Sequence, residues 1–231
     1  MTKGAPLRWV ENRILRRYLR GRGLEIGALW RRFPVRAGVR VWYVDRLNPE
    51  GLDDHYGGRL EKIISPDVVA DAAHLPVAAG GVDFIIASHV LEHLPFPLAG
   101  LRGWHDALAP GGVLLLRVPD MRYTMDRRRP RTPLQHLVAE QENPQAFDRR
   151  AHFAEWVEHV QGRAPTDRAF ETILGRLLER DYSIHYHAWV DDDVREMIEY
   201  TRSAWGLRWE PQVFWRAHFY RKEAVALVKK T

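Results

Sequence analysis

Short, almost wholly apolar segments alternate with helical patterns over the first half of the chain. The apolar segments are GLEIGA (23–28), GVRVWYVD (38–45), DVVADAAHLP (67–76), GVDFIIASH (81–89) and GGVLLLRVPD (111–120). A strand buried on both faces, as in a parallel sheet, shows such a run without polar alternation. A helical pattern over 96–112, closed by Pro110 and Gly111, lies between the last two segments. We therefore predict an α/β fold with a doubly wound parallel sheet.

The pattern changes after residue 120. Helical patterns lie around 133–142, 145–161 and 166–180, and we predict a helical insertion over 121–181, packed over the carboxyl edge of the sheet. The aspartates of VDDDVREMIEY (190–200) are typical of a helix start. Two final strands, at about 207–216 and 223–229, are close enough to pair as an antiparallel hairpin. We expect residues 1–231 to form a single domain.

The N-terminal segment predicts an amphipathic helix over 6–20. Its apolar stripe consists of Leu7, Val10, Ile14 and Tyr18. Only 13 residues separate Gly27 from Val41, and Pro34 and Gly38 interrupt them. A right-handed crossover between parallel strands normally contains a helix at that point. We expect the N-terminal helix to fill part of this space.

Composition narrows the class of protein. The chain has 231 residues, 45% of them hydrophobic and 28% charged, which is typical of a globular domain with a buried core. It has no cysteine, which excludes disulfides and thiolate metal sites. No apolar run is long enough for a secretory signal or a membrane span, so a cytoplasmic location is expected.

The net charge is +5, and 30 of the 35 basic residues are arginines spread from Arg8 to Arg221. A basic excess attracts anionic partners, including RNA. Scattered charges more often form solvated surfaces, and we favour that interpretation. A nucleic-acid partner stays an alternative.

Candidate ligand-binding residues lie at the strand ends, because ligands bind outside the carboxyl ends of parallel strands. The residues there are Glu25, Gly27, Ala28, Asp45, Arg46, Asp71, Ala72, Ser88, His89 and Asp120. Asp45 can accept hydrogen bonds from both ribose hydroxyls, and Asp71 from the exocyclic amine of adenine, with the Ala72 N–H donating to the ring. The loop after Gly27 lacks the glycines and lysine of a phosphate-binding loop. We therefore predict that the ligand is a nucleoside without a pyrophosphate. For Asp45 and Asp71, the alternative role is to cap a turn.

The segments LEIGA, VWYVD, VVADAAHLP, DFIIASHVLEHL and LAPGGVLLLRVPD, in this order and spacing, resemble the successive motifs of class I S-adenosylmethionine-dependent methyltransferases. The resemblance covers residues 23–120 and the last two strands. It implies a Rossmann-like, seven-stranded sheet with an antiparallel C-terminal hairpin. The chain differs from the family at Leu29 and Arg31, where two glycines of the first motif are missing. The segments LEIGAL, YVDR, VPDMRYTMDRRRP, RRAHFAEWV and DYSIHYHAW further resemble a bacterial subgroup encoded near glycosyltransferases.

This resemblance implies S-adenosylmethionine as the cofactor. The first loop, with Glu25, Gly27 and Ala28, would pass under its methionine part, and Ser88-His89 would flank the sulfonium. Asp45, followed by Arg46, would bind the ribose, and Asp71-Ala72 the adenine. The implied reaction is methyl transfer to a hydroxyl or amine of a small molecule, with a sugar or glycoside favoured. The alternatives are an RNA methyltransferase and a non-catalytic protein that binds a metabolite or a protein partner.

A hydroxyl acceptor needs a base, for which histidine is suited near neutral pH. The candidates are His89, His93, His152, His185 and His187, with a structural role as the alternative for each. His185 and His187 would share a face if SIHYHAW were extended.

The segment after the fifth strand is expected to contact the acceptor. Asp120, Arg122, Tyr123 and Asp126 can hydrogen-bond a polyhydroxylated acceptor there. An ordinary loop with solvated charges is the alternative. His89, Glu92 and His93, or His152 and Glu155, are alternative ligands for a divalent ion. No metal site is predicted, because H-x-x-E-H alone is weak evidence. The sequence does not predict an oligomeric state.

Overall fold

The computed structural model describes residues 5–57 and 62–231, and the side chains from residue 8 onward within them. The strands are β1 (Arg22–Ile26), β2 (Arg40–Asp45), β3 (Val68–Val69), β4 (Val82–Ser88), β5 (Leu108–Pro119), β6 (Trp209–Trp215) and β7 (Glu223–Lys230). The α-helices are α1 (Ala5–Leu15), α2 (Pro49–Tyr56), α3 (Pro97–Ala107), α4 (Leu134–Glu142), α5 (Arg149–His159), α6 (Phe170–Glu179) and α7 (Asp191–Trp205). Short 3-10 turns connect several of them.

The strands form one seven-stranded sheet in the order β3-β2-β1-β4-β5-β7-β6. Strands β1 to β5 are parallel, and β7 runs antiparallel between β5 and β6. The predicted Rossmann-like sheet with an antiparallel C-terminal hairpin is therefore confirmed. The order reverses between β1 and β4, so the ends of these two strands lie side by side, with Ile26 opposite Ala87. A ligand crevice is expected at this position.

Helix α3 ends earlier than the sequence predicts. It stops at Ala107, and β5 already includes Pro110 and Gly111. The ammonium of Lys230, at the end of β7, donates hydrogen bonds to the carbonyls of His105 and Leu108, at 2.7 and 2.8 Å. A cation that satisfies these last carbonyls stabilises the helix end at this point.

The N-terminal helix covers one face of the sheet. Leu15 and Leu19 pack with Phe33, from the β1–β2 loop, against Phe84 and Ile86 of β4. No α-helix lies between β1 and β2, so the expected replacement of the crossover helix is observed. Helices α3, α4 and α7 cover the opposite face.

The prediction that Val10 and Tyr18 belong to a buried apolar stripe of this helix is wrong. Val10 and Tyr18 are 47% and 37% exposed, and the side chain of Leu7 lies outside the described residues. The inward face instead carries Glu11, which is 4% exposed and accepts a hydrogen bond from Arg221. A buried ion pair with a distant arginine shifts the helix from its apolar register.

Three helices, α4 to α6, lie between β5 and α7, where the sequence predicts helical patterns. Helices α5 and α6 have an apolar cluster of their own, separate from the two sheet faces, whereas Leu137 of α4 packs in a sheet-face cluster. The buried members of the α5–α6 cluster are Phe153, Trp156, Val157, Phe170, Leu174, Ile184 and Tyr186. Among the described residues, no helix combines the length and the apolar character that crossing a bilayer requires.

Candidate functional site

A buried carboxylate closes the loop after β1. Both oxygens of Glu25, which is 3% exposed, accept the N–H of Phe33, at 2.8 and 3.0 Å. Burial raises the pKa of Glu25 to about 7, although the Phe33 hydrogen bond and nearby Arg32 oppose the shift. The Glu25 carboxylate therefore holds the β1–β2 loop in place through Phe33.

The same loop has a left-handed backbone at two places. Gly27 has φ +66°, and a Cβ there would lie 3.1 Å from Cγ2 of Val90. Leu29 has φ +46°, a region that residues other than glycine rarely adopt. Leu29 stands where the family has a glycine, and its carbonyl accepts the N–H of Ile64 at 2.7 Å. The loop thus keeps a glycine-like conformation without the glycine.

At the end of β2, Asp45 is half-buried and accepts the N–H of Arg46 at 2.7 Å. Burial raises the pKa of this carboxyl, against the effect of the hydrogen bond. The guanidinium of Arg46 donates to the side chain and to the carbonyl of Asp181, at 2.6 and 2.9 Å. Asp181 follows α6 and also pairs with Arg149 of α5. The β2 end is therefore tied to the helical segment.

The turn after β3 is held by its own contacts. The exposed Asp71 accepts the N–H of Ala73 at 2.8 Å, and its other oxygen lies 3.2 Å from Nδ1 of His74. The indole of Trp104 donates to the carbonyl of Ala72 at 2.7 Å. Asp71 and Ala72 are thus fixed relative to α3.

Ser88 ends β4, and His89 follows it with φ +57°. Nε2 of His89 lies 2.7 Å from Glu223, and Nδ1 lies 3.5 Å from Glu92. Burial disfavours the charged ring, but the hydrogen bond to Glu223 and the negative charge of nearby Glu92 outweigh it and raise the pKa of His89 to about 10. His89 is therefore an imidazolium at neutral pH, and its charge is balanced by buried carboxylates.

His185 lies beside the same turn. Its Nδ1 lies 2.6 Å from Asp126, which also accepts from Arg129 at 3.0 Å. Its Nε2 lies 4.0 Å from Glu92, and its ring centroid 4.8 Å from that of His93. Glu92 is 1% exposed, and neither of its oxygens accepts a hydrogen bond from a described residue. A carboxylate-bound histidine thus faces a buried carboxylate next to the end of β4.

His152 and His187 belong to a second group, which we call the three-histidine cluster. It consists of His136, Glu140, His152 and His187. Residues 183–190 form no strand, so the shared face expected for His185 and His187 does not arise. Burial raises the cost of ionising Glu140, but hydrogen bonds from His152 and His187 lower its pKa to about 2. Burial lowers the pKa of His187 to about 4, against the effect of Glu140.

The predicted acceptor residues after β5 make mostly internal contacts. Asp120, 1% exposed, accepts from the guanidinium of Arg122 at 2.9 and 2.6 Å and from the N–H of Asp191 at 3.0 Å. It therefore joins the end of β5 to the start of α7. Tyr123 is half-buried, and the guanidinium of Arg122 lies 5.5 Å from its ring centroid.

A family model described as a methyltransferase domain matches residues 9–165, which include the whole strand-end region from β1 to β5. The chain belongs to this methyltransferase family. The predicted enzyme class, and S-adenosylmethionine as its cofactor, are confirmed by this membership and by the strand order.

Solved structures share the fold of the methyltransferase at low sequence identity. One, described as a Zn-dependent alcohol dehydrogenase from Rhodobacter sphaeroides, has a TM-score of 0.56 and 15% identity, over 96% of this chain and 90% of that chain. A methyltransferase from Mesorhizobium loti has a TM-score of 0.52 and 12% identity, over 96% and 97%. One from Methanosarcina mazei has 0.50 and 13%, over 94% and 96%. These similarities show the fold alone. No curated protein matches the sequence.

Sequence reasoning missed two residues that the methyltransferase structure places beside His152. His136 and Glu140 are four residues apart on α4, so they lie on one face of the helix. That H-x-x-x-E spacing was the available signal. It stayed unnoticed because the partners, His152 and His187, come from other elements.

Proposed function

We propose that this methyltransferase transfers a methyl group to a hydroxyl or amine of a small molecule, with a sugar or glycoside as the favoured class. The observation that carries the proposal is the pair of His185 and Asp126, 2.6 Å apart, next to the buried Glu92. A histidine whose Nδ1–H is held by a carboxylate presents Nε2 as a proton acceptor. His185 would take the proton of the acceptor, and Asp126 would keep its ring in place.

The other histidines are less suited to that role. His89 already carries a proton at neutral pH, so it would balance charge beside Ser88. His152 and His187 contact Glu140, at 2.7 and 3.0 Å, whereas His185 contacts Asp126. We therefore assign the base to His185 and a positioning role to the rest.

The residues at the ends of β2 and β3 fit a nucleoside. Asp45, half-buried beside the crevice, would accept from the ribose hydroxyls, and Asp71 with the Ala72 N–H would bind the adenine. Arg46 would position Asp45 through its backbone N–H, which already donates to that carboxylate.

The β1 loop fits the methionine part. A side chain at Gly27 would meet Val90, so the backbone of Gly27 and Ala28 is open only because no Cβ is present. Glu25 would hold this loop, and Ser88 would flank the reacting centre. When bound, S-adenosylmethionine supplies an electrophilic methyl group.

The helical segment 121–181 is the proposed acceptor-binding part. Helices α4 and α5 border a cleft of about 580 Å³. Seven of its ten lining residues have polar side chains, namely His136, Glu140, Glu142, Asn143, Asp148, His152 and Glu155. Such a surface suits a polyhydroxylated molecule, since carboxylates and amides accept from hydroxyls. The resemblance to the subgroup encoded near glycosyltransferases favours the same class.

At the end of β5, Arg122 and Tyr123 remain the proposed acceptor contacts. Asp120 would position Arg122 through their two hydrogen bonds. Several arginines of the basic segment after β5 are bound to carboxylates, as Arg129 is to Glu155 and Arg131 to Asp193, both at 2.9 Å. This pairing reduces the free positive charge and supports a small acceptor over RNA.

The test is methyl transfer from labelled S-adenosylmethionine to a panel of sugar nucleotides, glycosides, amino sugars and RNA. Methylation of a sugar-containing acceptor is the expected result. Methylation of RNA alone, with affinity that falls steeply with salt, would replace the small molecule by RNA. Calorimetric cofactor binding without turnover on any acceptor would favour the non-catalytic alternative.

A further inference from the structure

The three-histidine cluster brings three imidazoles together around one carboxylate. Oε1 of Glu140 lies 2.7 Å from Nε2 of His152 and 3.0 Å from Nε2 of His136. Oε2 of Glu140 lies 3.0 Å from Nε2 of His187. The four ligand atoms all lie within 4.8 Å of one another. Ligand atoms of a tetrahedral zinc site are about 3.3 Å apart, given bonds of about 2.0–2.1 Å. The cluster is already close to that spacing.

The outer contact of His152 orients it as a ligand. Its Nδ1 lies 3.1 Å from the carbonyl of Tyr186, which can only accept, so Nδ1 carries the proton. When a metal ion replaces the proton that Nε2 otherwise donates to Glu140, the lone pair of Nε2 points at the ion. Two acceptors 2.7 Å apart need a cation or an additional proton between them. A histidine that donates from one nitrogen to a carbonyl and binds metal with the other is the usual arrangement at metal sites.

His187 is also held in a fixed orientation, in this case by packing. Its side chain is fully buried, and its ring stacks on Trp189 with centroids 5.5 Å apart. Nε2 is the nitrogen with a polar neighbour, since Nδ1 has no partner among the described residues. The ring therefore presents Nε2 to the cluster and has little freedom to turn.

The cluster also has an entry path. The side chain of His136 is 45% exposed, whereas those of Glu140 and His152 are 12% and 10% exposed. All three line the cleft between α4 and α5. An ion can therefore enter from the cleft and still be held by buried ligands.

We propose that His136, Glu140, His152 and His187 bind one divalent transition-metal ion, with zinc as the best match. Three imidazoles and one carboxylate suit zinc, while calcium and magnesium prefer all-oxygen ligands. The sequence predicts no metal, because these ligands come from α4, α5 and the segment before α7. The ion joins those three elements and forms one wall of the cleft. Three of the four ligands line the cleft proposed for the acceptor, and zinc binding can be measured without any acceptor.

The test uses the full chain without an affinity tag, stripped with a chelator and titrated calorimetrically with zinc chloride. We expect one ion per chain, and a cobalt(II)-loaded sample with the visible absorption of four-coordinate nitrogen and oxygen ligation. His136→Ala and Glu140→Gln should each weaken zinc binding at least tenfold. His159→Ala, which removes a histidine of α5 outside the cluster, should bind as the wild type does.

His136 is the decisive position because its exposed side chain can be removed without opening the core. A variant at the buried ligand, His187→Asn, can fail to fold. In that case the zinc affinities of His136→Ala and Glu140→Gln still test the proposal. Absence of stoichiometric binding would overturn the proposal. So would several weak ions per chain whose affinity is the same in wild type, His136→Ala and Glu140→Gln.

Discussion

Nε2 of His89 lies 2.7 Å from Oε2 of Glu223, a contact that joins the end of β4 to the start of β7. Glu223 also accepts from Arg117, which is 3% exposed, at 3.4 Å. His89, which lies beside the proposed methyl-transfer position, is therefore part of a buried charge network with Glu223 and Arg117. Its protonation is set by the fold.

The His89–Glu223 contact should make stability depend on pH at both ends. Burial opposes the charged ring, but the carboxylates raise the pKa of His89 from about 6.5 to about 10. A histidine whose pKa is raised in the folded state contributes its full stabilisation below about pH 6.5. That contribution is lost as the pH rises towards 10. Burial opposes ionisation of Glu223 too, but His89 and Arg117 lower its pKa from 4.5 to about 2, so its contribution is lost as pH falls below 4.5.

Glu223→Gln should lower the free energy of unfolding by about 3–5 kcal/mol at pH 6, because Arg117 is left buried without a counter-charge. The loss should be smaller at pH 9. Urea denaturation at both values measures it, with the exposed Glu210→Gln as control. An NMR titration that gives His89 a pKa near 6.5 would contradict the assignment.

Glu25→Gln should remove a pH dependence of stability whose sign is opposite to that of Glu223. Burial raises the pKa of Glu25 from 4.5 to about 7, so its ionisation destabilises the folded state as pH rises through that interval. The wild type should lose about 3 kcal/mol relative to the variant between pH 4.5 and pH 8. Paired denaturation curves give this difference. A constant difference over that range would show that the carboxyl is not perturbed.

Gly27→Ala tests the cofactor loop against a matched glycine. Gly27 and Gly38 both have positive φ, but only at Gly27 would a Cβ meet a neighbour within 4 Å. Both variants should lose about 1–2 kcal/mol of stability from the backbone. Only Gly27→Ala should also weaken calorimetric binding of S-adenosylmethionine. Equal affinities in the two variants would remove the loop from the cofactor site.

Asp45→Ala should weaken cofactor binding by about 10- to 100-fold, since hydrogen bonds to a charged group contribute about 1.5–3 kcal/mol each. Asp54→Ala, in the exposed part of α2, is the control. Isothermal calorimetry on both variants makes the comparison. Wild-type affinity in Asp45→Ala would reject the assigned nucleoside position.

His185→Gln should lower kcat by about 10²- to 10⁴-fold, because the proton of the acceptor loses its base. Cofactor affinity should stay unchanged. His159→Gln is the control, and circular dichroism checks that both variants fold. A wild-type kcat in His185→Gln would exclude this histidine as the base.

The sheet could be predicted because each of its central strands is an apolar run with few alternatives. The register of α1 could not, since it depends on Glu11 meeting Arg221, 210 residues away. The three-histidine cluster was missed for the same reason. His136 and His187 are 51 residues apart in a sequence that gives no sign of their contact. Local patterns predict elements, whereas sites built from several elements depend on packing.

Helix α1 takes the place of a crossover helix, yet its partners are at the opposite end of the chain. Arg8 donates to Glu223, and Glu11 accepts from Arg221. Leu15 and Leu19 pack in one cluster with Val225 and Leu227 of β7. During synthesis, helix α1 emerges well before β7, so its contacts with Glu223, Val225 and Leu227 form only after β7 has emerged. Part of this face of the nascent sheet therefore lacks its partner until β7 has emerged, and a chain stopped before β7 should be a substrate for chaperones.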